Sequence, residues 1–188
     1  MEAVTINETP DETIDQAFAD LRQNFKKLRT MPLSFRKTQL QKFINVYKQH
    51  EEALTESIMQ DLGGDRVSAY LVHIATPGQE AAHVMENIEG WSKASKTPNL
   101  VVNWPSDAFV KPEPKGVIIV LGCWNYPLAT FLSPIFSAIA SGNCLIMKPS
   151  EMAPNTAKVI ESILTQSLDS RFYKTLMGGP KTGQRLTS

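Results

Sequence analysis

The sequence predicts an α/β chain in which a helical N-terminal layer is followed by a parallel sheet. Three observations carry this. Up to about Lys96 the apolar residues recur at helical spacing in three successive stretches. From Gly116 to Met147 there is no charged side chain, although charged residues make up 20% of the protein, so this window is buried. Within it two unbroken aliphatic runs, Val117-Ile118-Ile119-Val120-Leu121 and Cys144-Leu145-Ile146-Met147, flank a single helical pattern. Unbroken runs of this kind belong to strands covered on both faces, and a helix between them makes them parallel neighbours.

Taken in order, Thr9-Pro10-Asp11-Glu12 predicts a helix start, with Thr9 as N-cap, Pro10 at the first helical position and Glu12 closing a capping box. Ile14, Ala17, Phe18, Leu21, Phe25 and Leu28 form its apolar face, and Pro32 ends it. A second, long helix opens at Ser34, buries Leu40, Phe43, Ile44, Tyr47, Leu54, Ile58 and Leu62, and stops at Gly63-Gly64, with His50 on its solvated surface. A third runs from about Val67 to Lys96 and is broken or kinked at Pro77-Gly78. Leu100 to Pro105 and Ala108 to Val110 then read as two arms of a hairpin, confined to an edge by Pro105, Pro112 and Pro114.

The first buried run is expected to be a central strand. Gly122 ends it, and the loop Cys123-Trp124-Asn125-Tyr126-Pro127 leads into a helix through Leu128, Phe131, Leu132, Ile135, Phe136 and Ile139 that is kinked by Pro134 and stopped by Gly142. The second strand closes at Lys148-Pro149-Ser150-Glu151. A helix from about Pro154 and a short strand from Phe172 to Met177 follow, and Pro180 to Ser188 is polar and without pattern. A membrane span is disfavoured by Asn125, Pro127, Pro134, Gly142 and Asn143 inside the uncharged window.

Lys plus Arg and Asp plus Glu both number 19, so no basic surplus points to nucleic acid. Met1 to Pro10 lacks the apolar core of a secretory signal. The two cysteines, both in the buried window, suit reduced thiols and a cytoplasmic setting. His73 and His83 share no helical face and have no acidic or cysteine partner at ligand spacing, so no metal site is expected. Gly178-Gly179-Pro180-Lys181-Thr182-Gly183 lacks the first glycine of a phosphate loop and has no helix pattern after it. Cys123 and Cys144 read as buried hydrophobes.

Parallel strands put Asn125 and Lys148 at one carboxyl edge, where open α/β sheets hold ligands. An Asn amide there can donate to an oxyanion, and a lysine can reach ribose or phosphate oxygens. On residue types alone, Asn125 is more often a loop residue bonding its own turn, and the alternative for Lys148 is a lysine snorkelling from a strand end.

Gly122-Cys123-Trp124-Asn125-Tyr126-Pro127, Ala138-Ile139-Ala140-Ser141-Gly142-Asn143 and Lys148-Pro149-Ser150-Glu151 with Pro154-Asn155-Thr156-Ala157 resemble, in order and spacing, the aldehyde dehydrogenase superfamily, closest to its class 3, fatty-aldehyde type. The lead-in from Pro112 and the stretch from Leu168 to Gly179 fit that type as well. The resemblance implies N-terminal helices plus a partial Rossmann-like parallel sheet, and NAD(P)-dependent oxidation of an aldehyde to a carboxylic acid through a cysteine thioester. It implies Asn125 as oxyanion donor, Lys148 on the adenosine ribose of NAD or NADP with Glu151 beside it, and Trp124, Pro149 and Ser150 shaping the cofactor groove. A carboxylate at Glu151 leans towards NAD, because it would repel a 2′-phosphate.

The implied organisation is a helical part over residues 9–98, an oligomerisation arm over 99–115, a partial NAD(P)-binding part over 116–179 and a divergent tail over 180–188. The family's Glu-Leu-Gly-Gly-Lys base segment and Gly-Gln-x-Cys nucleophile are missing from the sequence. The expectation is therefore a truncated aldehyde dehydrogenase that is inactive as this chain. The alternatives are a non-catalytic fragment that associates with full-length subunits, as in a homo-oligomer, and a relative of the acyl-CoA reductases.

Overall fold

The computed structural model describes residues 5–188; residues 1–4, part of the segment searched for a signal, lie outside it. Helix α1 (Asp11–Lys26) buries Ile14, Ala17 and Leu21 as its spacing predicts. It starts one residue later than expected, with Pro10 as N-cap and no side-chain cap. Thr9 turns away and donates its hydroxyl to the Met177 carbonyl.

The expected long second helix is two, α2 (Leu33–Gln49) and α3 (Glu51–Leu62), hinged at His50 with φ −107° and ψ 7°. The break gives Glu51 and Glu52 a helix N-terminus, where carboxylates are favoured. His50 is only half exposed, and its Nδ1 lies 2.8 Å from the Val46 carbonyl oxygen. Gly63 ends α3 at φ +77°.

The third helical stretch opens with α4 (Arg66–Ala69), whose N-cap Asp65 accepts from the Val67 and Ser68 amides. A π-helical turn, Tyr70–Ile74, follows, and then α5 (Ala75–Trp91). The irregularity therefore falls just ahead of Pro77-Gly78. A wider turn over residues 70–74 suits a proline at 77, which has no N–H and would crowd the carbonyl four residues earlier.

The arm exists, but with a different pairing from the one expected. Strand β1 (Ser95–Lys96) pairs antiparallel with β2 (Phe109–Val110), and Val101–Asn103 forms a 3-10 turn at the far end instead of a strand. Leu100, Val101, Val102 and Trp104 are all exposed there.

Strands β3 (Val117–Leu121), β4 (Cys144–Lys148) and β5 (Tyr173–Thr175) form a parallel sheet in the order β3-β4-β5, with Val117 opposite Cys144 and Leu121 opposite Lys148. The central strand is β4, buried at all five positions. The expectation that β3 is central fails, because β3 is an edge of the described sheet and Leu121 is exposed.

Helix α6 (Ala129–Ala140) returns the chain from β3 to β4 and runs through Pro134 as a single helix. At its end Gly142 adopts φ +85°, with the Gly142 amide bonded to the Ile139 carbonyl and the Asn143 amide to the Ala138 carbonyl. This is the paired closure that a C′ glycine permits.

Helix α7 (Pro154–Ser167) has no cap of its own. Asp61, in the last turn of α3, takes that role: its carboxylate accepts from the Asn155 amide at 3.2 Å, the Asn155 side chain at 2.8 Å and the Thr156 amide at 2.7 Å. Replacing Asp61 by Ala is expected to cost about 1–2 kcal/mol, the usual worth of a helix cap, read as a lower urea midpoint at unchanged slope.

The segment from Pro180, expected to be patternless, is helix α8 (Pro180–Thr187), with Thr182 and Leu186 buried. Its few apolar residues hid it, because the burial falls on a threonine and one leucine. Between the sheet and the helical layer lies one core in which Phe43 packs against Tyr47 and Phe136.

Candidate active site at the carboxyl edge of the sheet

Because β3 and β4 are parallel and in register, their exits leave the sheet on the same side. The two exits are in contact. The Gly122 amide donates to the Lys148 carbonyl at 2.8 Å, and a Cβ on Gly122 would lie 3.0 Å from the Ser150 nitrogen and 3.2 Å from the Pro149 Cα. Any side chain at 122 would push the loops carrying Asn125 and Lys148 apart by a few tenths of an ångström, so Gly122 belongs to the site as a spacer. The aliphatic run before it made it look merely like a strand end.

Asn125 is exposed, and among the described residues its side-chain amide makes no hydrogen bond within the chain. The alternative of a loop Asn bonding its own turn is therefore not what the loop contains. Trp124 and Tyr126 flank it and are exposed as well. The loop is braced from α6, where the Thr130 hydroxyl lies 2.8 Å from both the Tyr126 carbonyl oxygen and the Cys123 sulfur. On the other side the His73 ring, from the π-helical turn, meets the Tyr126 ring at 5.4 Å. The His73 Nδ1 is buried without a partner, and burial holds the pKa of this imidazole below its ordinary value.

Cys123 is half exposed, contrary to the expectation of a buried hydrophobe. Burial pushes its thiol up, but hydrogen bonding to the Thr130 hydroxyl and to the Tyr126 and Asn125 backbone outweighs this, and its pKa lies below the usual thiol value. Cys144 is buried as expected, and burial pushes its thiol up to about 11.

Lys148 does not snorkel. It is 5% exposed, and its ammonium donates to Glu151 Oε2 at 2.7 Å and to the Pro149 carbonyl at 3.3 Å. Pro149 and Ser150 are buried, and the Ser150 hydroxyl accepts from the Met152 amide. The Glu151 carboxylate that the sequence left as a lone charge is thus ion-paired with Lys148. Among the described residues no cluster of His, Cys, Asp and Glu could hold a metal ion, and no helix is long and apolar enough to cross a membrane.

The arrangement thus offers an unpaired amide donor and, on the same rim, a buried ammonium paired with a half-buried carboxylate. Sequence reasoning found those three residues. It missed Gly122, His73 and Asp61, whose roles depend on contacts between segments far apart in the chain, and Thr130, which braces the loop just before it.

Comparison with known proteins bears on this geometry. The model of the "Aldehyde dehydrogenase family" matches residues 2–188. The 4,4'-diaponeurosporen-aldehyde dehydrogenase of Staphylococcus aureus is 31% identical over 173 residues, covering 92% of this chain and 38% of that protein. Aldehyde dehydrogenase family 3 member A2 of Macaca fascicularis is 34% identical over 159 residues, covering 85% and 33% respectively. The chain therefore spans little more than a third of the length of these relatives. Among solved structures, the substrate-bound state of Staphylococcus aureus AldH superposes with a TM-score of 0.89 at 31% identity, over 92% of this chain and 38% of that one. Glyceraldehyde-3-phosphate dehydrogenase GapN of Methanocaldococcus jannaschii, complexed with NADP, shares the fold, with a TM-score of 0.80 at 21% identity over 96% of this chain and 40% of that one. With a family model matched over nearly its whole length, and relatives above 30% identity over most of it, this chain belongs to the aldehyde dehydrogenase family.

Proposed function

We propose that this chain carries the oxyanion donor and the ribose-binding face of an NAD(P)-dependent aldehyde dehydrogenase, an enzyme that oxidises an aldehyde to a carboxylic acid through a cysteine thioester. The observation that carries the reading is the contact between the β3 and β4 exits, which sets the free Asn125 amide and the Lys148–Glu151 pair on one rim. The donor set fits a nucleotide sugar: an ammonium that donates and a carboxylate that accepts, 2.7 Å apart, can share the two hydroxyls of a ribose. NAD(P), when bound, supplies the hydride acceptor. Asn125 donates to the oxygen on which negative charge develops, a type of contact whose loss costs about 10²–10³ in rate. Trp124, Pro149 and Ser150 shape the groove beside the cofactor.

These 188 residues hold neither a Gly-Gln-x-Cys nor a Glu-Leu-Gly-Gly-Lys segment, so the chain by itself turns over no aldehyde. We place it in the cytoplasm on the strength of two unpaired cysteines. The exposed apolar residues of the arm over 99–115, Leu100, Val101, Val102 and Trp104, support assembly with a second subunit. They equally favour the second reading, a non-catalytic chain that associates with full-length subunits; co-purification with such a subunit, abolished by Trp104→Ser, would support it.

Calorimetric titration of the chain with NAD and NADP tests the main reading. Saturable binding is expected, and Lys148→Met is expected to weaken it about tenfold or more, the worth of a hydrogen bond from a charged donor. Equal affinity in wild type and Lys148→Met rules the ribose assignment out. Formation of NADH from any aldehyde above the blank rules out the inactivity of the isolated chain.

A further inference from the structure

Glu8 and Thr9, just ahead of the N-cap Pro10, fasten residues from the far side of the sequence. Glu8 Oε2 accepts from the Gly179 amide at 2.9 Å, the Thr182 amide at 2.9 Å and the Thr182 hydroxyl at 2.5 Å. The Thr9 amide donates to the same Thr182 oxygen at 3.0 Å, and the Thr9 hydroxyl donates to the Met177 carbonyl. Thr182 is 1% exposed and so is enclosed by these contacts. The glycines supply the room: a Cβ at Gly178 would lie 2.1 Å from the Thr182 hydroxyl oxygen, and one at Gly179 would lie 2.7 Å from Glu8 Oε1. The glycine-rich segment that resembled a phosphate loop thus presents its amides to a carboxylate of the protein's own chain.

Residues Leu176 to Gly179 are the exit of β5, which runs parallel to β4. This is the third loop of the rim that carries Asn125 and Lys148. We propose that Glu8 is a positioning residue, a strap that holds the third rim loop and α8 in place while its carboxylate is charged; its bearing on the cofactor rests on the function proposed above.

The charged groups nearby do not duplicate the strap. On α8, Arg185 pairs with Asp15 and lies 3.8 Å from Asp11, both on α1, and neither carboxylate reaches the amides that Glu8 holds. Lys174 of β5 lies 3.9 Å from Asp20. Hydrogen bonds from the Thr182 hydroxyl and amide, with those from the Gly179 and Lys181 backbone, outweigh burial and keep Glu8 below the ordinary carboxylate value of 4.5. A carboxylate whose folded pKa is depressed stabilises fully above its unfolded value and is lost as pH falls through the folded one. Glu8→Gln therefore mimics the protonated strap at neutral pH.

Hydrogen exchange read by mass spectrometry on the whole chain tests this. In Glu8→Gln at neutral pH, peptides covering residues 176–187 are expected to exchange about tenfold faster than in wild type, with β4 unchanged. Wild type acidified progressively below the ordinary carboxylate value, corrected for intrinsic rates, should move towards the same pattern. NAD affinity should fall about threefold or more in the variant. Unchanged protection of 176–187 overturns the strap, and so does faster exchange spread equally through β4, which would be general destabilisation. Local opening with unchanged NAD affinity overturns the positioning role. Failure of wild type to bind NAD counts against the proposed function alone, because exchange still decides the strap.

Discussion

Arg36→Leu is expected to destabilise the chain by about 3 kcal/mol, measured as a fall in the urea midpoint, and to leave little folded protein at physiological temperature. Arg36 is 7% exposed, and among the described residues no carboxylate pairs with it. Instead, its guanidinium donates to the Thr30 carbonyl at 3.0 Å, the Ala140 carbonyl at 2.9 Å and the Met31 carbonyl. Ala140 ends α6, so the positive charge sits against the negative end of the helix dipole. Burial holds the pKa of this group below its ordinary value, offset in part by Tyr173. Leucine removes the buried charge but strands three carbonyls, each costing about 1–3 kcal/mol when left unsatisfied. Arg36→Lys should recover less than half of the loss, because a single ammonium cannot reach three diverging acceptors as a planar fork does. A loss below about 1 kcal/mol for Arg36→Leu would mean that water satisfies those carbonyls and that the network does not hold the turn after α1 to the sheet.

Gly122→Val should separate the two loops of the rim. Its Cβ would press on the Ser150 nitrogen at 3.0 Å, the Pro149 Cα at 3.2 Å and the Phe131 ring at 3.3 Å. Two of these are backbone atoms, so no rotamer change relieves the contact and the strand exits must part. The Gly122 to Lys148 hydrogen bond is then lost. Overpacking of this kind costs about 1–3 kcal/mol, and the displaced Lys148–Glu151 pair should bind NAD more weakly by tenfold or more. Gly122→Ala carries the first part of the effect without the branched methyls. If the Val variant keeps both wild-type stability and wild-type NAD affinity, the close approach of the loops is incidental to binding.

The sheet and its rim were legible because burial left a direct mark on composition: thirty-odd residues without a charge, with two aliphatic runs and one helical period inside them. Parallel pairing then placed Asn125 and Lys148 without further information, and the register of Leu121 opposite Lys148 agrees. What the sequence misassigned were features decided by distant partners. The helix break at His50 and the π-helical turn before Pro77 leave no trace in apolar periodicity, because both flanking segments keep the same period. Asp61 reads as an unremarkable acid near a helix end, where the dipole disfavours it, and its purpose lies 94 residues away at Asn155. Residue type alone also left Lys148 open to snorkelling, since strand-end lysines usually reach water, whereas Glu151 lets this one stay inside. The helix from Pro180 went unseen for the same kind of reason, its docking resting on Glu8.

The link between Glu8 and Gly179 spans 171 positions. Closing so large a ring costs little more in chain entropy than closing a moderate one, since each doubling adds about 0.6 kcal/mol. Its cost is in time, because contacts of such wide separation form only after the intervening segments have collapsed. Helix α8 should therefore dock late during refolding, after the segments between it and Glu8 have come together.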